Sequence, residues 1–82
     1  MSPTIFREQG YRFFFFSREE ERMHVHVDCA DGEAKFWLEP EVTLVRAHGL
    51  SKKQQDAMLR IVKDRIDDIT EAWKKHFSRR SN

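Results

Sequence analysis

Met23 to Cys29 reads M-H-V-H-V-D-C and Glu33 to Glu39 reads E-A-K-F-W-L-E, with Asp31-Gly32 between the two segments. Alternation of this kind puts successive side chains on opposite faces of a strand, and Asp-Gly is a strong signal for a two-residue hairpin loop. Counting outward from that loop pairs Cys29 with Ala34, Asp28 with Lys35, Val27 with Phe36, His26 with Trp37, Val25 with Leu38 and His24 with Glu39. One face then carries Val25, Val27, Cys29, Ala34, Phe36 and Leu38, and the other His24, His26, Asp28, Lys35, Trp37 and Glu39. A one-residue slip would mix the two sets, so the pattern strongly specifies which face is buried.

A second hairpin precedes this one. Thr4 to Arg7 and Tyr11 to Ser17 flank Glu8-Gln9-Gly10, and Gly10 can take the positive φ of a tight turn. A two-residue Gln9-Gly10 loop sets Phe6 opposite Phe13 and Ile5 opposite Phe14. The run Phe13 to Phe16 abolishes alternation, which marks a strand covered on both faces or one whose apolar side meets a partner. Ser17 to Arg22, S-R-E-E-E-R, reads as a solvated loop. Pro40 ends the fourth strand because it cannot donate a ladder hydrogen bond, and Val42 to Arg46 supplies a short fifth.

His48-Gly49-Leu50 reads as a turn, and Ser51-Lys52-Lys53-Gln54 after it matches a capping box, so a helix is expected to start near Lys52. Apolar residues recur at three- and four-residue steps from Met58 through Ile61, Ile66 and Ile69 to Trp73 and Phe77, with no Gly or Pro between them. One uninterrupted helix over 52–77 would be about 39 Å long at ~1.5 Å per residue, longer than its sheet can cover. Ile69, Trp73 and Phe77 are the expected overhang, and as partner-binding residues they call for a second copy or another protein. The reading is a single α+β domain over 1–82. Its antiparallel sheet of four to five strands lies in about 4–46, in two consecutive hairpins, packed by one long C-terminal amphipathic helix over about 52–77, with a basic tail at 78–82.

Size and composition bound the function classes. A chain of 82 residues buries only about 60 to 65% of its unfolded surface, so its seven Phe, two Trp and one Tyr must supply much of the core. Lone Cys29 can form no internal disulfide, and the N-terminus shows no signal-peptide succession, which fits a cytoplasmic protein. No apolar run approaches a membrane span. A net charge of +1 does not by itself mark a nucleic-acid binder. Locally, Asp64, Asp67, Asp68 and Glu71 are followed by Lys74, Lys75, Arg79 and Arg80, a basic end that also suits the helix dipole.

Chemistry is expected on the polar face. His24 and His26 can be cross-strand partners of Glu39 and Trp37 with no further role. They can converge on a metal as residues i and i+2 of a strand, with Asp28 and Glu39 as further ligands, although no dense Cys/His cluster backs that reading. They can also handle a phosphodiester. Metal-free RNA cleavage needs a base, an acid and a cation, and His24, His26 and Lys35 are the candidate catalytic set. Trp37 could stack an unpaired base and Arg12 could hold a phosphate. His48 reads as a turn residue, and His76 as a complement to the helix dipole. No cofactor motif is present: there is no Gly-rich phosphate loop, helical H-E-x-x-H or nucleophile elbow.

Beyond single motifs, P-T-I-F-R at Pro3 to Arg7, G-Y-R-F-F-F-F-S at Gly10 to Ser17, H-V-H-V at His24 to Val27, G-E-A-K-F-W-L-E-P at Gly32 to Pro40 and H-G at His48 resemble a small bacterial family catalogued as domain of unknown function 4160. The likeness runs from Pro3 to about Phe77. It implies a short protein encoded beside another small protein, in arrangements suggestive of toxin and antitoxin pairs. Where that family often carries a proline-containing stretch before H-V-H-V, this chain has Arg18 to Met23.

The resulting expectation is a toxin-like component acting on RNA or translation through the His24/His26 face, with catalysis left open. Its partners would be a small cognate antitoxin-like protein or a second copy, together with RNA or the ribosome, and no membrane. The alternative is a non-catalytic interaction module, an antitoxin, inhibitor or adaptor, that binds a partner through the long helix and the Phe-rich strand.

Overall fold

A computed structural model of the protein describes residues 4–16 and 22–78, apart from the side chain of Ser78. Residues 17–21 of the expected loop, and Arg79 and Arg80 of the basic tail, lie outside the described residues. The chain forms β1 (Thr4–Glu8), β2 (Tyr11–Phe14), β3 (His24–Asp28), β4 (Glu33–Trp37), β5 (Thr43–His48), α1 (Lys52–Asp64) and α2 (Ile66–Ser78). The strands make one antiparallel sheet in chain order, so the α+β expectation holds with the fifth strand present. Among the described residues no helix is long and apolar enough to cross a membrane.

The first hairpin closes as its sequence indicates. Gln9 and Gly10 take φ of 55° and 82°, the paired positive values of a type I′ turn. Phe6 faces Phe13, and their rings stack at 4.6 Å between centroids. Ile5 does not face Phe14 as expected. It falls in a bulge, and Thr4 takes that place.

The second hairpin corrects the expected register. His24 lies opposite Trp37, Val25 opposite Phe36, His26 opposite Lys35, Val27 opposite Ala34 and Asp28 opposite Glu33, a slip of two residues from the Asp31-Gly32 count. The loop is Ala30-Asp31, with the Cys29 N–H donating to the Gly32 carbonyl at 2.9 Å. Because strand side chains repeat every two residues, a slip of two leaves every residue on its assigned face. Gly32 is therefore needed for clearance rather than for the turn. A Cβ there would sit 1.9 Å from the His48 carbonyl oxygen, where the start of the β5–α1 connection crosses the hairpin. Gly32→Ala is expected to cost at least about 1–3 kcal/mol, as overpacking against backbone does. A urea melt that matches the parent chain would refute this account of the glycine.

Helix α1 begins at the expected capping box. The Ser51 side chain accepts from the Gln54 N–H, and the Gln54 side chain accepts from the Ser51 N–H. The single helix over 52–77 is not found. At Arg65, with φ −114° and ψ 28°, the helical backbone is interrupted and α2 begins at the next residue. Arg65 is tied down at this break: its guanidinium lies 3.6 Å over the Phe6 ring and pairs with Glu8 at 3.2 Å and Asp68 at 3.3 Å. The helices pack on the face formed by Phe13, Val25, Val27 and Phe36, contributing Met58, Ile61, Val62 and Ile69 to one core. The expected overhang is thereby taken up, with Ile69 and Phe77 buried in the chain's own core and Trp73 half-buried.

Candidate functional site

Cross-strand pairing lays the face opposite the helices out in rows. One row runs Phe14, His26, Lys35 and Arg46, and the next runs Arg12, Asp28, Glu33 and His48. A third sets His24 beside Trp37 and Trp37 beside Thr43. These rows join residues from four strands that the chain separates by many positions.

The fifth strand enters the rows through a bulge. Lys35 pairs with Arg46 and Phe36 with Leu44, which leaves Val45 as the extra residue. A bulge inverts the alternation beyond it. Leu44 and Ala47 consequently both face the helices, while Arg46 and His48 both join the polar face. The signal is present in T-L-V-R-A-H, where two adjacent apolar residues interrupt an otherwise alternating stretch. The sequence pattern alone reads His48 as a turn residue. His48 closes β5 and belongs to the face.

That face is less wet than its polarity suggests. His24 is 2% exposed, and His26 and Lys35 are each 7% exposed. His24 Nδ1 lies 2.9 Å from the Arg22 carbonyl, which can only accept, so Nδ1 carries the proton. Its ring packs against Trp37, against His26 at 4.9 Å and against Trp73 at 5.1 Å. Trp73, one of the residues expected to meet a partner, also meets Phe15 at 5.2 Å. His24 accordingly serves as a packed, oriented core histidine.

The other candidates divide. Arg12 forms a two-pronged pair with Asp28, at 3.2 and 3.0 Å, and lies 4.2 Å over the Phe14 ring. Such bidentate pairing is geometrically specific and leaves Arg12 committed to Asp28 rather than to a phosphate. The same contact engages Asp28, one of the ligands the metal reading requires. Among the described residues no three His, Cys, Asp or Glu side chains gather as a metal centre. Trp37 carries the Arg22 guanidinium at 4.3 Å and the Lys35 ammonium at 4.6 Å from its ring, a cation–π arrangement.

His26 and Lys35 remain at an opening. With Phe14, Phe16, Glu33, Arg46 and His48 they line a cleft of about 60 Å³. Arg46 and His48 are both exposed, and neither has a side-chain hydrogen bond or ion pair among the described residues. The cleft is small beside the roughly 300–1,000 Å³ of sites that enclose a small molecule. It suits a group presented from outside, such as one phosphate of a longer chain.

The fold and this face define a class: a small α+β domain, a five-stranded antiparallel meander with helices on one side and a cationic cleft on the other. The chain belongs to the family described as Domain of unknown function (DUF4160), whose model matches residues 10–74, from the turn before β2 well into α2. No curated protein and no solved structure matches it.

Proposed function

We propose that this chain is a toxin-like component of a bacterial two-protein module, acting in the cytoplasm on RNA with the outer sheet face as its working surface. One observation carries the reading: His26, Lys35, Arg46 and His48 line a single cleft whose lining among the described residues includes one carboxylate, Glu33. Basic side chains bordering a cleft that exposed Arg46 and His48 open to solvent are the kind of group that contacts phosphate.

The residue types also match phosphodiester cleavage. O2′ of a ribose attacks the adjacent phosphorus while one imidazole accepts the hydroxyl proton. The P–O5′ bond breaks, the second imidazole delivers a proton to O5′, and the products are a 2′,3′-cyclic phosphate and a 5′-hydroxyl. His26 and His48 take these two roles, and Lys35 and Arg46 stabilise the charge on the phosphorane. The pair differs from the expected His24 and His26 because His24 does not border the cleft, whereas His26, itself largely buried, lines it together with exposed His48. The alternative, an interaction module working through the helical stripe, is the weaker reading because Ile69 and Phe77 are already covered by the chain itself.

Induced expression in bacteria tests the proposal. Growth should arrest, protein synthesis should fall, and RNA fragments ending in cyclic phosphate should accumulate, with co-expression of the neighbouring small reading frame restoring growth. Normal growth with intact RNA at high levels of folded protein would sink it.

A further inference from the structure

Among the described residues, Phe16 is the large apolar side chain that the fold leaves most open. Just beyond β2, it is 48% exposed, whereas Phe13, Phe14 and Phe15 of the same run are each 5% exposed or less. Its ring lies 4.2 Å from His26 between centroids and 5.5 Å from Phe14, so it is seated on one side and open on the other. It lines the same cleft as Lys35, Arg46 and His48. A half-open aromatic thus shares this cleft with exposed Arg46 and His48.

We infer that this cleft selects single-stranded RNA, with Phe16 as the stacking platform for one unpaired base and Arg46 and His48 holding the neighbouring phosphate. The inference rests on reading the face as an RNA site and adds its strand preference. A base inside a duplex already has neighbours on both of its faces, whereas an unpaired base can be splayed out onto a protein ring. Trp37, the platform expected from sequence, is engaged by Arg22 and Lys35, so a base would have to displace them. Phe16 needs no such displacement. A peptide's apolar anchor would want an enclosing pocket, and about 60 Å³ flanked by cations does not provide one.

Fluorescence anisotropy with a short labelled RNA, the same strand annealed to its complement, and the full chain tests this. The single strand should bind more tightly than the duplex. Phe16→Ala should weaken single-strand binding by roughly 5- to 140-fold, the range for loss of one stacked base, and Phe16→Trp should restore it. Arg46→Gln should instead reduce the salt dependence, as loss of a phosphate contact does. Equal binding of duplex and single strand, with Phe16→Ala neutral, overturns the inference while leaving an RNA site in place. Failure of the folded parent chain to bind either RNA overturns the inference and removes RNA as the target of the proposed function.

Discussion

Phe36→Ala is expected to remove a large share of this domain's stability. Phe36 is fully buried in the middle of β4, opposite Val25 on one side and Leu44 on the other, and belongs to the core shared with the helices. Removing a buried phenyl ring costs about 3–5 kcal/mol, the lost transfer energy plus the cavity left behind. A domain of this length has a total stability of about 4–12 kcal/mol at roughly 0.05–0.15 kcal/mol per residue. The melting temperature should fall by at least about 12 °C on the scaling for domains of this size, measured by circular dichroism. A drop of only a degree or two would mean that the sheet and helices are not packed as described.

The largest functional effect should come from His48→Ala. If His26 and His48 exchange protons with the ribose and the leaving oxygen, either substitution should lower RNA cleavage by about 10²- to 10⁴-fold. His48 is exposed, so its variant should melt like the parent chain. His24→Ala should show the converse pattern, because its ring fills space between Trp37 and Trp73 and its Nδ1 is held by Arg22. Its melting temperature should drop while the folded fraction keeps its cleavage rate. Measuring both quantities on the same samples separates the two roles. Cleavage lost with His24 and kept without His48 would return the assignment to the strand pair and remove His48 from the site.

The second hairpin shows how much of this was legible. Alternation assigned each residue of β3 and β4 to its correct face even though the pairing is displaced by two. The displacement arises because Asp31-Gly32 looks like a turn, while Gly32 is small for the sake of the His48 carbonyl, a neighbour sixteen positions away. Local rules can read a glycine's conformational freedom. They cannot read the space it must vacate for a distant strand.

The helix and the site diverge from the sequence reading for related reasons. Periodicity found the apolar stripe from Met58 to Phe77 correctly, and the capping box found its start. It carries no sign of the break at Arg65, whose side chain reaches Phe6 and Glu8 at the far end of the chain. Nor does it show that Ile69 and Phe77 are buried against the chain's own sheet.

The sequence by itself determined the class, the two hairpins and the division of the β3 and β4 side chains between an apolar and a polar face, because all three follow from short-range periodicity and turn chemistry. Only the tertiary structure decided which polar residues are reachable. Burial depends on what packs over a residue, and Trp73 encloses His24 while the Val45 bulge brings Arg46 and His48 to the cleft beside His26. The histidine pair adjacent in the chain is thereby divided: one member holds the fold together, and the other shares the cleft with a histidine from the opposite end of the sheet's second half.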